Sequence, residues 1–240
     1  MSSRVKSTPE SSAAPVKGGG ADKAMHEQVY STLREALIAG QLAPGRALSV
    51  RRLAAEFEVS TMPAREAIRR LAAVGALDFT DTRRVTVSQM TEAKLREIKE
   101  ARVALEPVLS GFALERVEAL PREKGRLVKS LENIDKNLDL AIRRGDVMAY
   151  SQLNSDFHFA LYRAANANVL LNLVESLWLQ FGPFMRVVIG RLGTSCLEDD
   201  QHKEIIEAVV EGDSAKLQAA VKADIVHCMQ TIELDDNAVD

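Results

Sequence analysis

Ser60-Thr61-Met62-Pro63-Ala64-Arg65-Glu66-Ala67-Ile68-Arg69-Arg70-Leu71 places its apolar residues at the 3.6-residue period of an α-helix. Ala67, Ile68, Leu71 and the following Ala72 share one face, and Arg65, Arg69 and Arg70 stand on the other. Ser60-Thr61 can cap this helix, and Pro63 suits its first turn, where a missing N–H costs nothing. Just upstream, Ser49 precedes Val50–Phe57, a short helical stretch with Leu53, Ala54 and Phe57 on one face. The tight link Glu58-Val59-Ser60 joins the two. Two short helices across such a turn form a helix-turn-helix, whose second helix enters the major groove of DNA.

The surrounding residues extend this unit. Val29, Tyr30, Leu33 and Leu37 recur at helical spacing over Lys23–Ile38, and Gly40 with Pro44-Gly45 ends the pattern. After Gly75, Leu77-Asp78-Phe79 and Val85-Thr86-Val87 read as two strands of a small hairpin around Asp81-Thr82-Arg83-Arg84. That hairpin is a wing, with Arg83 and Arg84 at its tip beside the DNA backbone. Residues 23–90 therefore form a winged helix-turn-helix domain. Residues 1–22, rich in Ser, Pro, Ala and Gly, bury too little apolar surface to offset ordering and read as a disordered tail.

Charge divides along the same line. Residues 23–90 carry ten Lys/Arg against seven Asp/Glu, net +3, whereas residues 91–240 carry 18 against 25, net −7. A basic head joins an acidic body. Of 240 residues, 46% are hydrophobic and 27% charged, a globular balance that excludes disorder of the whole chain. No apolar run approaches the ~20 residues that span a bilayer, and no apolar leader follows the basic residues of the N-terminus, so no membrane partner and a cytoplasmic location are expected. Cys196 and Cys228 lack the pairing of a disulfide framework or zinc finger and read as buried thiols.

Beyond Thr91 the pattern is helical throughout, with amphipathic stretches at 91–119, 122–144, 147–164, 168–181, about 183–191, 198–211 and 214–232. Gly145-Asp146 and Gly212-Asp213 repeat one joint, in which Gly takes a left-handed C′ conformation and Asp caps the next helix. Short joints make neighbouring helices antiparallel. The fold class is mainly α: an N-terminal winged helix-turn-helix, then an all-helical antiparallel bundle over residues 91–240.

Three of the four histidines, His158, His202 and His227, fall in the bundle, and Asn154 lies one turn before His158 on the same face. Imidazoles with one oxygen ligand suit zinc, nickel or iron and leave positions open for water or ligand. Spacing alone does not separate such a site from histidines packed in a core. Phosphate loops, nucleophile elbows and paired metalloprotease histidines are absent, so no enzyme is expected. Glu92, Glu97 and Glu100 read as a solvated helix face.

Pro44-Gly45, Leu48-Ser49, Arg51-Arg52-Leu53-Ala54, Val59-Ser60 and Pro63-Ala64-Arg65-Glu66-Ala67, with Leu71 and Gly75, resemble the winged-helix signature of the GntR family. The rest resembles the FCD effector-binding domain of the FadR subfamily, through Arg102 with Leu105-Glu106, Asn154 with Phe157-His158, Asn166, Asn168, His202, Gly212-Asp213 and His227. The resemblance implies a regulator that binds a palindromic double-stranded DNA operator as a homodimer and responds to a small carboxylate effector. It places DNA contacts at Arg51 and Arg65, and with the helix-turn-helix and wing reading the expected DNA-contacting set is Arg51, Ser60, Thr61, Met62, Arg65, Arg69, Arg83 and Arg84. It also implies a divalent metal ion, zinc or nickel, on Asn154, His158, His202 and His227, with Arg102, Arg186 and Arg191 pairing with the effector carboxylate.

The chain departs from the family pattern in three places. Thr61 stands where relatives often have Arg, the wing tip lacks its usual Gly, and Asn154 replaces the commoner Asp, which loosens a metal. Two alternatives stay open beside this reading: a metal-free regulator binding an acyl thioester or fatty acid in an apolar tunnel, and a metal-dependent hydrolase.

Overall fold

A computed structural model of the chain describes residues 19–79, 84–185 and 201–230. The first helix, α1 (Gly19–Ile38), starts inside the stretch expected to be a disordered tail, so residues 19–22 are helical. Once a helix has nucleated, each added residue gains a hydrogen bond without repeating the nucleation cost, even for weak formers such as Gly. Val29, Leu33 and Leu37 of α1 are buried and pack against α3 (Thr61–Ala73), which buries Ala64, Ala67, Ile68 and Leu71. Between them run β1 (Ala47–Leu48) and α2 (Val50–Glu56). Ser49 caps α2, its Oγ accepting from the Arg52 N–H at 3.4 Å.

Ser60 occupies the N-cap position of α3, but its side chain makes no capping hydrogen bond. An N-cap oxygen reaches the second or third N–H of its helix. The third residue here is Pro63, which has none, so only the Met62 N–H is left, and Ser60 does not bond it. The turn before it is closed instead by Glu58 in the left-handed region, at φ 53°.

The wing strands are β2 (Leu77–Phe79) and β3 (Val85–Val87), paired antiparallel with Leu77 opposite Val87 and Phe79 opposite Val85. On its other edge β3 pairs with β1, Ala47 opposite Thr86 and Leu48 opposite Val85, giving the order β1-β3-β2. Two residues are too few to show the period-2 alternation that betrays a strand, and β1 was not expected.

The second half is helical: α4 (Glu92–Glu118), α5 (Pro121–Arg143), α6 (Val147–Ala164), α7 (Asn168–Phe181), a 3-10 turn Gly182–Phe184, α8 (Gln201–Glu211) and α9 (Ser214–Gln230). Of the helix expected at about 183–191, the structure describes only the 3-10 turn and Met185. Both Gly-Asp joints form: Gly145 and Gly212 have φ of +65° and +75°. Asp146 Oδ1 accepts from Ala149 N–H, and Asp213 Oδ1 from Ala215 and Lys216 N–H. The long α4 is the axis, packed on α6, α7 and α9, while α5 lies against α6 and α8. No helix among the described residues is long and apolar enough to cross a membrane.

The two halves are joined by more than chain. Arg34 of α1 forms a bidentate ion pair with Glu175 of α7, and Gln41 donates to Gln152 of α6 at 3.1 Å. Lys94 at the start of α4 donates to the Gly75 carbonyl and to Ser88 Oγ beside the wing. Gly182 lies so close to the end of α1 that a Cβ there would sit 2.5 Å from the Ile38 carbonyl oxygen and 2.8 Å from its Cα.

Candidate metal centre and nucleic-acid interface

Burying Ala64, Ala67, Ile68 and Leu71 turns the opposite face of α3 outward. Thr61, Met62, Arg65 and Arg69 are exposed on it, Met62 at 65% of its surface. Ser60 before the helix and Arg51 on α2 are exposed as well. The arginines differ in what they hold. Arg69 forms a two-pronged pair with Glu66, at 3.0 and 2.8 Å, whereas Arg70 reaches back to Glu27 of α1 at 2.7 Å and lies 3.6 Å over the Tyr30 ring. Arg70 thus fastens α3 to α1. On the wing, Arg84 is exposed, and Arg83 lies outside the described residues.

In the bundle, three helices bring donor atoms together. His158 on α6, His202 on α8 and Asp224 on α9 each present one, all within 4.8 Å of one another. His158 Nε2 is 3.3 Å from Asp224 Oδ2, and His202 Nε2 is 3.8 Å from Asp224 Oδ1. Metal–ligand bonds of about 2.0–2.1 Å, at angles between octahedral and tetrahedral, separate neighbouring donors by about 2.9–3.4 Å. The 3.3 Å separation falls in that range and the 3.8 Å one lies outside it, so the set would have to draw in slightly around an ion, while its two-imidazole, one-carboxylate composition suits a late first-row divalent ion with open positions. Both imidazoles are buried, and the Asp224 side chain is 17% exposed. Burial alone would push the Asp224 carboxyl up, but His158, then His202 and Arg102, outweigh it and lower the carboxyl to about 2.

Behind this cluster lies a second, fully buried polar group. Arg102 and Glu106, one turn apart on α4, pair through Nε–Oε1 at 2.6 Å and Nη2–Oε2 at 3.2 Å. Trp178 Nε1–H donates to the same carboxylate at 3.0 Å and Tyr162 O–H at 2.7 Å. The guanidinium lies 4.5 Å over Trp178 and 4.7 Å over Phe181. Burial and the Glu106 charge hold the Tyr162 phenol well above its usual range. Tyr162 Oη also lies 3.3 Å from His158 Nδ1, which links this group to the cluster of His158, His202 and Asp224.

The sequence-expected residues fare differently. His158 and His202 come together as expected, and Asn154 lies buried one turn before His158. His227, one turn past Asp224 on α9, falls outside the 4.8 Å set, and Asp224 supplies its third member. Asp224 carried a signal: Leu217, Val221, Asp224 and Cys228 follow helical spacing, so an acid interrupts an apolar stripe. The fork of Arg102, expected to meet an effector, is spent on Glu106. Arg186 and Arg191 lie outside the described residues.

Comparison with known proteins follows this division. Residues 25–87 match the profile of bacterial regulatory proteins of the gntR family, and residues 97–227 match the FCD domain. The HTH-type transcriptional regulator McbR of Escherichia coli is 28% identical over 212 residues, covering 88% of this chain and 90% of the relative. The gluconate operon transcriptional repressor of Bacillus subtilis is 30% identical over 162 residues, 68% of this chain and 62% of the relative. Among solved structures, E. coli McbR/YncC superposes with a TM-score of 0.74 at 24% identity, covering 86% of this chain and 97% of that one. A GntR regulator from Rhodococcus gives 0.67 at 20% identity, covering 88% and 99%. These matched families and relatives are transcription regulators, not enzymes. The chain is a member of the GntR family of transcription regulators, with a helix-turn-helix DNA-binding head and an FCD effector-binding domain.

Proposed function

We propose that this regulator senses a small carboxylate through a divalent metal ion held by His158, His202 and Asp224, and transmits the signal to a homodimeric DNA-binding head on a palindromic operator. The observation that carries the proposal is the convergence of two imidazoles and one carboxylate from three helices inside the effector domain. Zinc or nickel suits that donor set, and Asn154 stands beside His158 as a further oxygen donor. The metal would supply Lewis acidity for a carboxylate. With the Arg102 fork engaged by Glu106, a metal held here would be the main attraction for an anion at this point. On the head, Thr61, Met62, Arg65 and Arg69 face the major groove, with Arg51, Ser60 and Arg84 near the phosphates.

Elemental analysis of protein purified without chelator tests the proposal. About one zinc or nickel ion per chain is expected, lost on Asp224→Ala. Metal-free wild-type protein that takes up neither ion would overturn it and favour the metal-free binder of an acyl chain.

A further inference from the structure

Tyr162 and Glu106 contact none of the three clustered donors' reactive atoms, yet both are wholly buried and joined to the cluster through His158. The donor count explains why. Glu106 takes four hydrogen bonds, two from Arg102, one from Trp178 and one from Tyr162, so its carboxylate acts only as an acceptor. The single Tyr162 hydroxyl proton is therefore committed to Glu106, at 2.7 Å. Toward His158 Nδ1, 3.3 Å away, the phenol has only oxygen lone pairs to offer. Nδ1 must carry the hydrogen. Nε2, 3.3 Å from Asp224 Oδ2, is then the nitrogen left to bind a metal, and without one it can donate to that carboxylate. Trp178 fixes the plane from the side, its ring 5.3 Å from that of His158 while its indole N–H holds Glu106.

We propose that Tyr162, held by Glu106, is a positioning residue for the metal centre: it sets His158 in the Nδ1–H tautomer and aims Nε2 at the site shared with His202 and Asp224. This inference rests on the metal reading above. A histidine ligand generally needs such a partner on its second nitrogen, which orients the ring and raises its basicity, and loss of the partner costs about 10- to 100-fold in metal affinity. Here the partner is a phenol anchored by a buried ion pair. The tautomer of His158 is thereby written into α4, where Arg102 and Glu106 sit.

The test uses the full-length chain. Competition against a chelating indicator compares zinc affinity in wild type and Tyr162→Phe, which keeps the ring and removes the hydroxyl. Zinc binding weakened about 10- to 100-fold, with far-ultraviolet circular dichroism unchanged, supports positioning. Equal affinity overturns it. Nitrogen-15 spectra of histidine-labelled wild type give a readout that needs no variant. In the zinc-loaded protein, coordination of His158 through Nε2 with a proton on Nδ1 supports the proposal, and coordination through Nδ1 overturns it. Should wild type take up no zinc, the metal reading fails. The same spectra on metal-free protein still test the contact: a proton on Nδ1 upholds the Tyr162 lock, and an unprotonated Nδ1 removes it.

Discussion

Ser151 Oγ donates a buried hydrogen bond of 2.9 Å to the carbonyl oxygen of Ala39, binding the effector domain to the end of the first helix of the DNA-binding head. Ser151 lies on α6 two turns before His158, on the same face, so the helix that carries one residue of the His-His-Asp cluster also carries this anchor. Gly182 makes the second close approach, at the end of α7, whose Trp178 packs on the His158 ring.

Both contacts should be costly to disturb. Ser151→Ala leaves a buried carbonyl without its donor and is expected to destabilise the protein by about 1–3 kcal/mol. Gly182→Ala forces a methyl group into the Ile38 backbone and is expected to cost at least about 1–3 kcal/mol, because the obstacle is main chain and cannot rotate away. Urea unfolding of each variant measures these losses. A change below a few tenths of a kcal/mol would show that the two domains do not rely on this seat.

Neighbouring arginines on α3 should separate by role. Arg65→Ala removes an exposed guanidinium and is expected to weaken DNA binding, by about 1–3 kcal/mol for a base contact or with a salt slope lower by about one for a phosphate contact, without altering stability. Arg70→Ala instead removes the pair with Glu27 and the stacking on Tyr30, and about 1 kcal/mol of stability should go with them. Anisotropy titrations and thermal melts on both variants distinguish these outcomes.

Glu106→Leu strands the Arg102 charge in the interior and is expected to cost about 3–5 kcal/mol. The double variant Arg102→Met with Glu106→Leu removes both charges and should recover much of that loss, since paired apolar replacements avoid an uncompensated ion. Denaturant midpoints of the single and double variants give the answer.

In metal-free protein, Asp224 adds a pH dependence of definite sign. Its carboxyl is held at about 2, below the ordinary unfolded value of about 3.9. The carboxylate therefore stabilises the fold fully above about pH 5, and the contribution is lost as pH falls toward the folded value. It is on the order of 2 kcal/mol. Unfolding free energies measured across this acid range should fall less steeply in Asp224→Asn than in wild type.

Local patterns were legible where they depend on neighbours in sequence. The helical period of Ala67, Ile68 and Leu71, the Gly-Asp joints and the alternating wing runs all formed at or near their expected positions. The Ser60 cap does not form, and Pro63 removes one of the two N–H groups it could have bonded, three residues on. Long-range pairings were harder to read. Asp224 joins His158 across 66 residues of chain, and nothing in spacing alone prefers it over His227. Arg102 looked like an anion receptor because its own helix hides the partner: Glu106 lies one turn away, on the same buried stripe.

The most direct test of a metal-linked DNA switch is the affinity of the full-length chain for its own upstream DNA. It is followed by fluorescence anisotropy across a salt series, with zinc or nickel present and then removed by chelator. We expect binding whose logarithm falls steeply with the logarithm of salt concentration, as phosphate contacts from the basic head require, and an affinity that changes on metal removal in wild type but not in Asp224→Ala. Binding that is absent at low salt, or that is identical with and without metal in wild type, would contradict it.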